Sequence, residues 1–279
     1  MNRSPQVSKL AFWINEREAI RKKKEAGLPK PWTQDPVLRA FRFCNVHREH
    51  DTVTRWLKAN WRDPHATDRM LWHAMIVARF INWPETLDEC GWPEPWPKRK
   101  NVFVARWRAR QARGDKWLTG AYKVLVPGWS GDKVDSFAGL FDRAAAIADP
   151  PRAGDTLATA HAKLTRIDGI GPFLGAQVVA DLKHTPVLRN AKDWHEWAAP
   201  GPGSVKGLAI VRGGSERVYL RPYRFINELL SLRDELAPLI KPERLCLQDL
   251  QNCLCEFSKY TRGNSRSRYP GADSHHGHQ

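Results

Sequence analysis

The stretch LATAHAKLTRIDGIGPFLGAQVVADLKH, residues 157–184, decides the fold. Leu157, Leu164 and Ile167 recur at helical spacing and form one apolar face. Gly169-Ile170-Gly171 breaks that pattern, and Pro172 stands where a new helix starts. Ala176, Val179, Ala180 and Leu182 line the second helix. The two glycines permit backbone conformations closed to other residues. The spacing predicts a helix-hairpin-helix over 158–182. Hairpin amides and a following helix N-terminus together suit a phosphate. Gly169, Ile170 and Gly171 are therefore candidate DNA-binding residues, with Lys163 and Arg166 on the approach. Such contact recognises backbone rather than sequence. The plainer alternative is an ordinary helical hairpin with a glycine turn.

Outward from this motif the chain reads as mainly α. Residues 8–26 form a charged helix stopped by Gly27, with Pro29 and Pro31 beyond it. Pro36 opens a helical segment running to about Leu57. Residues 68–82 are apolar nearly all round, as in a buried helix, and Pro84 closes them. CGWPEPWPKRKN (90–101) reads as a structured loop, followed by a basic helix over 102–113. GAYKVLVPG (120–128) reads as a short strand or extended segment. Further helices are predicted from Ser136 to Ala148 and over 223–237 and 243–260. The organisation expected is one helical domain over 1–270, or two helical lobes, with a disordered tail at 271–279.

Lys and Arg outnumber Asp and Glu by 45 to 30, a formal charge of +15. Such an excess favours a polyanionic partner, because phosphate contacts release counterions. No apolar run of membrane-spanning length occurs, and the N-terminal residues lack a secretory apolar core. A reducing cytoplasm is the expected compartment, with no membrane partner. Five cysteines show no disulfide-like pattern. Cys246, Cys253 and Cys255 cluster, but an iron–sulfur site needs four thiolates. They read as core cysteines, with no metal and no cofactor expected. Most of the 13 tryptophans belong to an aromatic core.

Asp193 lies 22 residues past Gly171, in RNAKDWHEW. A catalytic Asp follows the hairpin at this spacing in helix-hairpin-helix DNA glycosylases. The alternative for an Asp in a loop is a helix cap or a surface charge. Four blocks then carry a wider resemblance: PWTQDPVLRAFRFCNVHREHDTVTRWL (31–57), the hairpin with Asp193-Trp194, GPGSVKGL (201–208), and LQNCLCEFSKY ending at Tyr260. On these the sequence resembles the alpha-glutamyl/putrescinyl thymine pyrophosphorylase family, phage-type amino acid:DNA transferases on a glycosylase-like fold. The resemblance implies that a kinase first pyrophosphorylates 5-hydroxymethyluracil in DNA. The transferase then displaces pyrophosphate with the amine of an amino acid or polyamine. The expected partner is double-stranded DNA with the modified base flipped out.

Residue types suit that task. A leaving pyrophosphate needs cations and amide donors. Arg42, Arg48 and Lys206 are candidates, with the amides around Gly203 and Ser204. An amine nucleophile must lose a proton, so a carboxylate is needed. Asp193 is the first choice and Glu256 the second. Gln248, Asn252, Glu256 and Lys259 fall on one helical stripe, which is a site or merely a solvated face. Arg42 with Asn45, and Arg48 with Asp51, would share a face if 36–57 were helical; an Arg48–Asp51 ion pair is the structural alternative. Trp194 is a candidate stacking residue, and Cys44 reads as packing. Two other functions stay open: a monofunctional DNA N-glycosylase, and a non-catalytic DNA-binding module. The helix after the hairpin carries Gln177 in the region where a lyase would carry Lys, which speaks against a lyase.

Overall fold

The structure is a computed structural model and describes residues 4–121, 131–242, 245–265 and 267–269. Its described residues contain α1 (Pro5–Glu25), α2 (Pro36–Ala40), α3 (Thr52–Leu57), α4 (Leu71–Ile81), α5 (Pro84–Cys90), α6 (Trp96–Ala112), α7 (Lys133–Ala145), α8 (Leu157–Thr165), α9 (Pro172–Leu182), α10 (Pro202–Arg212), α11 (Glu216–Tyr219), α12 (Pro222–Leu236) and α13 (Leu247–Tyr260). Among these residues the only β pairing is an isolated bridge between Phe41 and Arg268. The mainly α expectation holds. No described helix is long and apolar enough to cross a membrane. The chain divides into two compact units, one formed by 1–51 with 195–279 and the other by 52–194.

In the 52–194 unit α4 is buried along its whole length. It packs against α7 and α9, while α5 packs on α6 and α6 on α7. Trp96, Phe103, Trp107, Phe137 and Phe141 fill this core, mostly edge to face. Its charges are also internal. Asp181 on α9 accepts from the Arg79 guanidinium of α4 at 2.6 Å, and the Arg62 guanidinium lies 3.8 Å away. Arg79 also donates to Thr54 and Asn82, which completes the shell around the buried cation.

In the other unit, Leu10, Trp13 and Ile14 of α1 share one core with Leu208 of α10, Phe225 and Leu229 of α12, and Leu250, Leu254 and Phe257 of α13. The backbones of α10 and α13 approach very closely. A Cβ added at Gly207 would stand 2.1 Å from the Leu254 carbonyl oxygen, so only glycine lets the two helices meet.

Several expected boundaries change. The segment 36–57 is not one helix: Asp35 caps a single turn, and the chain is extended or turn-like from Phe41 to Asp51. Residues 58–62 then widen into a π-helical turn. Half of the expected 90–101 loop is the start of α6, which opens at Trp96 after Pro95. A helix that the sequence did not announce, α10, covers 202–212. The expected strand is described only at Gly120 and Ala121, which lie in a bend, and its residues 122–128 lie outside the described residues, as does the tail at 271–279.

Candidate functional site

The hairpin forms as its residues require. Thr156 caps α8 through its hydroxyl, and α8 ends at Thr165. Gly169 takes φ +95°, a left-handed conformation that favours glycine. A Cβ there would also meet Leu140 Cδ1 at 2.6 Å, so Gly169 is needed for packing against α7. Gly171 differs: nothing lies within 4 Å of an added Cβ, and it stands at the N-cap of α9 with no side-chain capping bond. Ile170 is buried and anchors the turn, while Arg166, at the end of α8, is exposed. Lys163 is a correction. Its ammonium is buried and committed to Asp155 at 2.9 Å and Asp149 at 2.9 Å, holding the 149–155 loop rather than facing outward.

Asp193 and Trp194 lie in this same unit. Asp193 accepts from Leu157 N at 2.7 Å and Ala158 N at 3.0 Å, so its carboxylate sits on the N-terminus of α8. That is the capping geometry, favoured by the helix dipole. Trp194 is locked to the end of α9. Its indole donates to the Lys183 carbonyl at 2.8 Å, and the Lys183 ammonium lies 3.7 Å from its ring centroid and donates to its carbonyl.

The second candidate region belongs to the other unit, where loop 42–51 meets α13. Asp249, Asn252, Glu256 and Lys259 lie at intervals of three, four and three, one stripe of the helix. Asp249 accepts from Arg48 N at 3.1 Å and pairs with His47 Nδ1 at 3.2 Å. Asn252 donates to the Asn45 carbonyl, and Glu256 accepts from Cys44 N at 3.2 Å while pairing with Lys259. From α1, Arg17 donates to the Phe43 and Cys44 carbonyls and to Asn45 Oδ1 at 2.6 Å. Asn45 in turn donates from N to Asp51 Oδ1 and from Nδ2 to the His50 carbonyl. The loop is thus fixed by hydrogen bonds from α1, from α13 and within itself, instead of by a helix of its own.

This cluster shifts its titratable groups. The Asp249 hydrogen bond raises His47, against the effect of burial. Burial lowers His50, with Arg21 adding to the effect. Burial raises the Asp51 carboxyl. Burial disfavours the Lys259 charge, yet the adjacent Glu256 carboxylate offsets this and leaves Lys259 above its ordinary value.

Asn45, Arg48, Asn252, Glu256 and Lys259 therefore come together in one region. Arg42 does not share a helical face with Asn45, because there is no helix; it is exposed, with its guanidinium 5.3 Å from the Tyr269 ring centroid. Gln248 is buried and its side-chain oxygen has no hydrogen-bond partner, so it drops out of the stripe. Gly203 and Ser204 are also corrected. A Cβ at Gly203 would meet Cys255 Sγ at 2.4 Å, and Ser204 is buried, bonded to Gly201 at the start of α10 and to Gln251. Both serve the α10–α13 contact rather than an anion. Lys206 stands 3.8 Å from Glu216. The residues that sequence reasoning missed are Asp249 and Arg17. Asp249 was findable, since it lies three residues before Asn252 and competes with Gln248 for the end of the stripe; nothing local marks Arg17.

Among the described residues no group of three or more His, Cys, Asp or Glu is placed to hold a metal. Cys253 donates to the Val46 carbonyl from the core and Cys255 packs on Gly203.

No solved structure matches the chain. A curated relative, the 5-hmdU DNA kinase of Bacillus phage SP10, is 27% identical over 264 residues, covering 84% of this chain. The chain spans only 41% of that relative's length. The model of the 5-hmdU DNA kinase helical domain matches residues 4–268, and the chain belongs to that family.

Proposed function

We propose that this chain binds DNA carrying 5-hydroxymethyluracil and acts at the hydroxymethyl group of that base. The observation that carries this reading is the match of the 5-hmdU DNA kinase helical domain across residues 4–268. The basic balance and the open Gly171 start of α9 support it, since a helix N-terminus in a basic chain suits a DNA phosphate. The fold is read as glycosylase-like, with a flipped base as substrate.

The reaction proposed is transfer. The lone pair of an amino acid or polyamine amine attacks the exocyclic methylene. The carbon–oxygen bond to pyrophosphate breaks, and pyrophosphate leaves with the electron pair. The surplus amine proton passes to a carboxylate. Glu256 is assigned that role because it lies within the Asn45, Arg48, Asn252 and Lys259 cluster; it is itself buried, and partly exposed Lys259, with which it is paired, is the group of that pair open to solvent. Asp193 is assigned to holding α8. Arg42, Arg48 and Lys206 remain the cations proposed for the leaving group.

A second reading is a helical unit that presents the base to a kinase active site. It is favoured by the matched model itself, which is the helical domain of a 5-hmdU DNA kinase. Nucleoside mass spectrometry separates the two. The protein is incubated with pyrophosphorylated 5-hydroxymethyluracil DNA and a mixture of amino acids and polyamines. Transfer yields a heavier nucleoside only when an amine is present, with every sugar–base bond intact. Unchanged nucleosides, together with faster phosphorylation when a 5-hmdU DNA kinase and ATP are added, establish the presenting role. Alkali-labile abasic sites would instead mark an N-glycosylase.

A further inference from the structure

The unit formed by 1–51 and 195–279 carries a surface that the cluster on α13 does not use. It is the turn from α11 into α12, ERVYLRPYR at 216–224. Val218, Leu220 and Tyr223 are 46%, 54% and 61% exposed, and Leu220 and Tyr223 exceed every other large apolar residue described. Arg217, Arg221 and Arg224 alternate with them and are exposed as well. Only Glu216 balances these three cations within the stretch, and it is drawn towards Lys206 at 3.8 Å. Arg224 has a distant partner in Glu228 at 3.9 Å. Arg217 and Arg221 have no ion-pair partner among the described residues.

This exposure is held in place. Ser215 accepts from Arg217 N and starts α11, and Pro222 starts α12. Tyr219 and Phe225 are buried between the exposed residues and pin the turn to the core. Gly214 is shaped around that anchor, because a Cβ there would stand 2.5 Å from the Tyr219 hydroxyl. The outward side chains are therefore presented from a braced backbone.

We infer that this turn is a nucleic-acid surface for single-stranded DNA, separate from the hairpin of the 52–194 unit. The argument is charge and chemistry together. Arginines without carboxylate partners suit phosphates. Cations alone would suit a duplex backbone equally well. Exposed Tyr223 adds an aromatic ring and exposed Leu220 further apolar surface, and what such a ring can pair with is an unstacked base. The exposed guanidiniums of Arg217, Arg221 and Arg224, close by in sequence, add planes on which a base can also stack. The inference rests on the reading that this chain binds DNA, and it adds which form of DNA this unit takes.

The test is fluorescence anisotropy with a labelled oligothymidylate and a blunt duplex of matched length. Tyr223→Ala with Leu220→Ser should weaken single-strand binding by about five- to tenfold, the lower range for removing one base stack. Duplex affinity should stay within about twofold, because the hairpin that grips phosphate is untouched. Tyr223→Phe should keep single-strand affinity, since the ring and not the hydroxyl stacks. Arg217→Gln with Arg221→Gln should flatten the log–log salt slope of single-strand binding by about 0.7 for each phosphate released. All these positions are exposed, and circular dichroism checks that the variants fold. Parent-like single-strand affinity in the folded double variants overturns the inference. So does a parent that sediments as a dimer through this surface, with the variants monomeric and single-strand binding unaltered. A parent that binds neither DNA form sinks the DNA reading itself; duplex binding with no effect of the turn variants sinks only this inference.

Discussion

In the 52–194 unit, Arg79, Arg62 and Asp181 lie within the core, and the carboxylate is met by guanidinium groups from two neighbouring elements. In the unit of 1–51 and 195–279, the comparable density of charge lies where loop 42–51 meets α13, with Arg48, His47, His50 and Lys259 only partly covered. The first arrangement is closed, its charges paired inside the core. The second is fixed by side chains bonded to the loop backbone, and leaves His47, Arg48, His50 and Lys259 partly reachable while Glu256 is buried. A buried ion network contributes little net stability when intact and costs heavily when broken. A half-exposed cluster tolerates change and is where chemistry on a substrate can be held.

The difference can be broken most severely at Asp181. Asp181→Ala leaves two buried guanidinium groups without their carboxylate and should cost about 3–5 kcal/mol. Urea unfolding would read this as a large fall in midpoint, and a cost below about 1 kcal/mol would mean the network relaxes to water. Next comes Gly207→Ala. The added Cβ would strike the Leu254 carbonyl, so α10 and α13 must separate, at about 1–3 kcal/mol or more. Asp193→Ala removes the carboxylate bonded to Leu157 N and Ala158 N, leaves the Thr156 cap of α8 in place, and should cost about 1 kcal/mol. If the variant is as stable as the parent while catalysis disappears, Asp193 and not Glu256 is the proton acceptor. Glu256→Gln makes the converse arm. Gly171→Ala meets nothing and should leave stability within about 0.5 kcal/mol.

The smallest effect sharpens the comparison most finely. His47 and His50 are three residues apart but shifted in opposite directions, His47 up beside Asp249 and His50 down through burial. A histidine whose folded pKa is raised stabilises the fold fully below its unfolded value of about 6.5. That contribution fades as pH rises through the folded value. His50 acts in reverse and withdraws stability as pH falls through about 6.5. Proton–nitrogen correlation spectra across pH should show the two titrations split. Asp249→Asn should return His47 towards its ordinary value and should cost more stability at about pH 5.5 than at about pH 8.5. A cost independent of pH would show that Asp249 acts through its other partners, Arg48 N and Cys246 Sγ among them, rather than through His47.

The hairpin and the buried α4 were legible because their signals are local. Gly-Ile-Gly-Pro imposes its own backbone, and the apolar run of α4 has few other fates. Loop 42–51 was not legible as a loop. Asp35 and Pro36 announce a helix start correctly, and the helix then stops after one turn for reasons far away in sequence. Ser267, Arg17 and Glu256 supply hydrogen bonds that hold 42–45 extended, and tertiary partners of that kind override propensity. Lys163 misled for a related reason: beside a hairpin a lysine reads as a phosphate ligand, and its pairing with Asp149 and Asp155 forms only when the 149–155 loop folds back. The α13 stripe was legible except at its N-terminal end, where Asp249 stands in place of Gln248, because periodicity gives a face but not its edge.

The division of the chain has a temporal meaning. Residues 52–194 are contiguous, whereas α1 packs on α10, α12 and α13, which follow that insert. During synthesis the apolar face of α1, with Leu10, Trp13 and Ile14, leaves the ribosome with only the nearby 38–46 segment, Phe43 included, and without its partners on α10, α12 and α13. At about 5–20 residues per second, the intervening unit takes on the order of ten to thirty seconds to be made. Helix α1 must therefore wait for α13, and for that interval much of its apolar face is uncovered.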